Sequence, residues 1–199
     1  MSDEKRDGPW FTSLHQYNDP KGRYTVRVPG DWTEFELTED REGAMFSPQK
    51  DEPTTYFAVW VNELGEHVVA EDMEALKEGV EAGLVQLKDL TVESAADDVL
   101  SNLVKFERTY TFDDNGVVRK RRVWMLYADT WTFVVVFQGE TPEEYHYWLP
   151  MGNYSFSTFN LPHELWFAAD RDLAHIAHPE RAASENAAAE SDGEGSSTS

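Results

Sequence analysis

The sequence predicts an α+β fold, a central, mainly antiparallel twisted β-sheet with helices on both faces, and three observations predict it. Between Val104 and Gln138 three β-type runs follow one another with turn chemistry between them. Asp113-Asp114-Asn115-Gly116 supplies the first turn, with an Asn-Gly pair that tolerates positive φ, and Ala128-Asp129-Thr130 supplies the second. Connections this short make neighbouring strands antiparallel and exclude a doubly wound parallel sheet. The third run, Trp131 to Phe137, is apolar at almost every position, so it has no wet face and needs cover on both sides. Helical patterns before and after this meander supply that cover.

From the N-terminus, residues 1–9 are polar and expected to be flexible, with order beginning near Trp10. Tyr17-Asn18-Asp19-Pro20-Lys21-Gly22 is a turn cluster leading into Tyr24 to Pro29, where Tyr24, Val26 and Val28 alternate with Thr25 and Arg27 at the period of a half-buried strand. Pro29-Gly30-Asp31-Trp32 breaks it. Thr33 to Leu37 and Ala44 to Pro48 read as short extended pieces, and Thr54 to Asn62 as a strand apolar on both faces.

From Ala70 to Lys88 the period changes. Met73, Leu76, Val80, Leu84 and Leu87 form a stripe at helical spacing, with acids toward the positive N-terminal end. Gly79 and Gly83 each cost such a helix roughly 1 kcal/mol relative to Ala. Close packing of helix on sheet is the expected reason, and contact with a ligand the alternative. Leu90 to Ser101 reads as a link. After the meander, Thr141 is a helix N-cap, Pro142 the first helical residue and Glu144 its capping-box partner. Pro150 and Gly152 are expected to interrupt this helix before Tyr154 to Phe159 resume it. Residues 162–182 form a helical extension and 183–199 an acidic tail too poor in apolar residues to order itself. Residues 10–161 make the domain.

The 199 residues suit one domain with a sizeable core, and seven tryptophans suit its packing. Asp and Glu number 38 against 17 Lys and Arg, a formal net charge of −21 that repels phosphate backbones and anionic lipid. Nucleic acid and membrane surfaces are therefore not expected partners; solubility alone accounts for the acid excess. Cysteine is absent, which excludes disulfides, thiolate metal sites and cysteine nucleophiles. The charged stretch Met1 to Gly8 is followed by no apolar run of signal-peptide type, and a cytoplasmic protein is expected.

Tyr17-x-Asp19 followed by Gly22-Arg23-Tyr24-Thr25-Val26-Arg27-Val28-Pro29-x-x-Trp32 resembles the opening of the PsbP-like superfamily, and the element order agrees to about Leu161. That group includes the extrinsic photosystem subunit, a eukaryotic Ran-release factor and many bacterial proteins of unassigned function. The resemblance implies an α/β/α sandwich used mainly as a non-catalytic binding or assembly module. It transfers no catalytic residue to this chain, and it does not extend past Pro162.

Four groups of residues are candidates for chemistry. His163, Asp172, His175 and His178, with Glu164 and Asp170 nearby, offer imidazoles and carboxylates to a zinc-like ion, with His175 and His178 three apart on a helix. Pro179 ends that helix at once. Arg119-Lys120-Arg121-Arg122 is the only basic run and could receive a phosphate or an acidic segment. On a strand, however, Arg119 and Arg121 point away from Lys120 and Arg122, and pairing with Glu107 or other local acids is the simpler expectation. Asp97-Asp98, Asp113-Asp114 and Glu143-Glu144 are adjacent carboxylates whose side chains diverge, so none is an acid/base dyad by spacing. Among the tryptophans, Trp32 after its turn and Trp166 in the extension are the candidates for an exposed groove.

The expected function is a non-catalytic protein-binding or accessory domain with a protein partner and no cofactor. Its expected contact surface is a groove between the sheet and the C-terminal segment, with Trp32, Trp166, Arg119 and Arg121 as binding residues. The competing expectation is a metal-binding protein or metal-dependent hydrolase using His163, Asp172, His175 and His178. A third is a salt-adapted protein whose acidic surface serves solubility.

Overall fold

The structure, a computed structural model, describes residues 8–10, 13–37, 41–101 and 103–167. Strands β1 (Leu14–Asn18) and β2 (Thr25–Pro29) form an antiparallel hairpin of their own. The main sheet contains β3 (Thr33–Phe35), β4 (Glu42–Ser47), β5 (Tyr56–Glu63), β6 (Thr91–Leu100), β7 (Leu103–Asp114), β8 (Val117–Ala128) and β9 (Trp131–Gly139). Its spatial order is β3-β4-β5-β9-β8-β7-β6, and every neighbouring pair is antiparallel. Helices α1 (Met73–Leu84), α2 (Pro142–Thr158) and α3 (His163–Phe167) complete the chain, and a 3₁₀ turn, Ala70–Asp72, leads into α1.

The meander forms as its turns require. Asn115 and Gly116 take φ values of 56° and 90° between β7 and β8, and Asp129 takes 56° between β8 and β9. Strand β9 is buried on both faces. Phe133, Val135 and Phe137 point into a core shared with α2 and the β1-β2 hairpin, whereas Val136 and Val134 point into a second core under α1. The result is a three-layer α+β sandwich in which α1 covers one face and α2 with the hairpin covers the other. Among the described residues no helix is long and apolar enough to cross a membrane.

The Tyr17-x-Asp19 motif has a structural role. The Asp19 carboxylate accepts from the backbone N–H groups of Lys21 and Arg23, each at 3.1 Å, and from Arg23 Nε and Nη2, each at 2.9 Å. Gly22, at φ 72°, lets the chain turn inside this clamp. Arg23, buried against Asp19, reaches on to the half-exposed Glu42 of β4 and lies over the Trp131 ring, so its guanidinium ties the hairpin to the sheet.

Three expectations are corrected. Leu90 to Ser101 is not a link but contains β6, a strand whose residues are exposed on both faces apart from partly buried Asp97. With no buried face it has no period-2 pattern to read. Helix α2 is continuous through Pro150, because its buried inner side, including Gly152 and Met151, is held against the sheet and outweighs one lost backbone bond. Tyr17 and Asn18, read as part of a turn cluster, end β1, Leu14–Asn18, which is mostly exposed.

Candidate binding site

Between α1 and the sheet lies a cavity of about 320 Å³. Its floor is the α1-facing side of β8, where Arg121, Val123, Met125 and Tyr127 follow at alternate positions. Those six residue steps span about 20 Å at about 3.3 Å per residue, so the site is a trough and not a round hole. Val134 of β9, Trp60 of β5 and Tyr110 of β7 flank it, and Val80, Leu84 and Leu87 form its roof.

Gly79 and Gly83 stand at the rim. Both are exposed, both line the cavity, and a Cβ added at either would meet no atom within 4 Å. Close helix packing therefore does not explain them, which corrects that expectation; they keep side chains away from the opening. Gly79→Ala and Gly83→Ala should each raise the unfolding free energy by about 0.5–1 kcal/mol, since Ala removes the glycine entropy penalty and strikes nothing. Urea denaturation checks this. A loss of stability in either variant would show that the helix surface is closed at that point.

Arg121 is the polar end of the trough. It is half-buried, its Nε and Nη2 donate to Gln138 Oε1 at 2.9 and 2.5 Å, and Nη2 also donates to the Tyr56 hydroxyl at 3.3 Å. These acceptors are neutral, and among the described residues the ion pairs of the basic run belong to Arg119, Lys120 and Arg122. The guanidinium also lies 4.7 Å from the Phe112 ring centre. Burial pushes the Tyr110 phenol up, with Arg121 beside it pulling partly back, and burial alone pushes Tyr127 up. Both phenols are thus neutral at pH 7, and Arg121 is the one formal charge among the described residues lining the trough.

The basic run divides between faces as strand alternation demands. Arg119 pairs with Asp114 at 3.2 Å and donates to the Glu140 carbonyl; it does not line the cavity. Lys120 and Arg122 face α2, where Lys120 reaches Glu93 at 2.6 Å and Arg122 reaches Glu107 at 2.5 Å. The expected pairing with Glu107 is present.

The exposed reading of Trp32 is corrected. Its side chain is 8% exposed and meets Trp148 of α2 edge-on at 5.7 Å, because the turn held by the Trp32 N–H to Pro29 carbonyl bond aims the indole inward. Among the described residues the strongly exposed indole is Trp10. Trp166 belongs to α3, but its side chain lies outside the described residues, as do Asp172, His175 and His178. His163 is exposed at the start of α3, and among the described residues no cluster of three metal-ligating side chains exists. The structure therefore unites one candidate, Arg121, with two glycines assigned to packing and with Trp60, Tyr110, Met125 and Tyr127. The sequence signals for this site were Arg121 in the basic run and the glycine pair, for which ligand contact was the alternative expectation.

No family model matches the chain, and no curated protein matches it. Solved structures do. Cyanobacterial PsbP (CyanoP) from Synechocystis is similar with a TM-score of 0.53 and 14% identity, over 78% of this chain and 96% of that one. LpqN, described as involved in cell envelope biogenesis of Mycobacterium tuberculosis, gives a TM-score of 0.54 and 11% identity over 75% of this chain and 91% of that one. The Ran-binding protein Mog1p of Saccharomyces cerevisiae gives 0.50 and 12% over 81% and 98%. The seven-stranded sheet, its strand-and-helix cover and these likenesses together identify the architecture: the chain has the PsbP/Mog1-like fold.

Proposed function

We propose that this chain is a non-catalytic protein-binding domain that receives an extended, basic segment of a partner along the free edge of β6. The observation that carries the reading is that edge. β6 is the last strand of the sheet, ten residues long, and among the described residues it pairs with β7 on one side only. The other side presents a row of backbone N–H and C=O groups of the kind to which a partner strand adds. Val92, Val99 and Leu100 are exposed along it and give an added strand apolar contacts.

The edge is guarded as well as open. A bulge between Val92 and Ser94 interrupts its register, and Glu93, Asp97 and Asp98 are tied to Lys120, to Arg108 and Lys77, and to Lys105. A net charge of −21 steers basic segments toward the molecule and turns acidic ones away, which gives the edge a preference. That Mog1p is a Ran-binding protein agrees with a binding role.

Ala95→Pro and Ala96→Pro test the reading. Adjacent strand residues aim their N–H groups to opposite sides, so one of the two removes an outward donor and spares the β6-β7 ladder. That variant should keep the wild-type Tm and lose the proteins that co-purify with the chain, while wild-type β6 amides gain exchange protection in the complex. Unchanged co-purification by both variants, or unchanged exchange at β6, would overturn it.

A further inference from the structure

We infer that the trough under α1 binds a linear aliphatic monocarboxylate, with the carboxylate on Arg121 and the chain running along Val123 toward Met125. Shape, size and charge each limit the occupant. The floor is a line of four alternate β8 residues, so a chain fits it better than a ring system. About 320 Å³ holds roughly ten heavy atoms if each takes about the share of a water in the liquid, near 30 Å³. Octanoate has that size.

Arg121 fixes the sign and the end. Its Nε and Nη2 are engaged with Gln138 and Tyr56, both neutral, so an incoming anion meets a guanidinium not already matched by a carboxylate among the described residues. A carboxylate there gains charge-assisted hydrogen bonds in a half-buried setting. From Val123 onward the trough offers apolar and aromatic surface, which recognises a hydrocarbon chain and rejects a second charge. The acidic surface of the protein opposes an approaching anion, but at physiological salt that field decays over about 8 Å, while the bond to Arg121 acts at contact.

The mouth is the second argument. Glycine at both 79 and 83 costs α1 helix stability without any packing gain, and both positions border the opening. A passage kept open at that cost has a use if a ligand enters between the helix and the sheet.

The test is titration of the full chain with octanoate, n-octylammonium and octan-1-ol, followed by calorimetry and by amide chemical shifts. Octanoate should bind one per chain and shift Arg121, Val134 and Gly83; octylammonium should bind at least about tenfold more weakly, the cost of losing the charge-assisted pair. Arg121→Gln should weaken octanoate about tenfold and leave octan-1-ol within about twofold. Gly83→Leu, at a site where added atoms meet open space, should retain the fold and abolish binding of both. Equal binding of the ammonium and the carboxylate, octanoate binding unaffected by Gly83→Leu, or no octanoate binding at millimolar concentration would each overturn the inference. None of these outcomes bears on the β6 edge, which lies apart from the trough.

Discussion

Replacing Glu81 with Gln and Asp97 with Asn in one chain is expected to lower the unfolding free energy by about 3 kcal/mol, toward the lower end of what an uncompensated buried charge costs because both carboxylates are partly exposed. Arg108 is 1% exposed. Its Nη2 reaches Glu81 of α1 at 2.8 Å, its Nη1 reaches Asp97 of β6 at 2.5 Å, and Nη1 also donates to the carbonyls of Ala96 and Glu107. The two neutral substitutions leave the guanidinium in place with neutral acceptors only. Adding Arg108→Met should restore most of the loss, since an apolar replacement of a buried ion triad is close to neutral. Urea denaturation of the double and triple variants decides the matter; a double variant within about 0.5 kcal/mol of wild type would refute it.

The same cluster sets an acid response. Burial acts to raise the Asp97 carboxyl, but bonds from Arg108 and Lys77 outweigh it and hold the group below its ordinary 3.8. A depressed folded value means that this stability is fully present above the unfolded value and is lost as pH falls through the lower, folded one. Asp19, held down by Arg23 and by two backbone N–H groups against its own burial, behaves in the same way. Acid unfolding therefore steepens below about pH 4, and Asp97→Asn should flatten its share of that slope.

Gly152→Val is expected to cost about 3 kcal/mol or more, at or above the upper part of the range for overpacking. A Cβ at Gly152 would stand 2.5 to 2.7 Å from three atoms of the Phe137 ring, and Phe137 is itself fully buried between α2 and the sheet. The ring cannot withdraw without disturbing Tyr145, 5.1 Å away. Because about 1 kcal/mol moves Tm by about 2–4 °C at this size, a fall of roughly 6–12 °C is expected by calorimetry. A shift under about 2 °C would mean that α2 can lift away freely. The contrast with Gly83 is instructive: two helical glycines, one filled by an aromatic ring and one facing open space.

That contrast marks what could be read from the chain alone. The meander, its two turns, β2, β5 and the layering followed from periodicity and turn chemistry, because each of these elements has a buried face or a positive-φ requirement that leaves a local trace. β6 left none, since a strand exposed on both faces has nothing to alternate. Pro150 suggested a break because the strength with which α2 is pressed onto β9 is a tertiary fact. At the site, Arg121 was singled out for its charge, yet that no carboxylate among the described residues pairs with it depends on which face of β8 it occupies relative to β7 and β9. Trp32 failed for the opposite reason: a residue after a turn is free to point either way, and here it points inward.

The pairing of β5 with β9 sets a timetable for synthesis. Tyr56 and Gln138 stand 82 positions apart and lie opposite each other in the sheet. At about 5–20 residues per second, a translating ribosome leaves β5 waiting roughly 4–16 s for its partner. During that interval an eight-residue strand, apolar through its middle, has one flank unpaired. The nascent chain is therefore most in need of a chaperone between emergence of β5 and completion of β9.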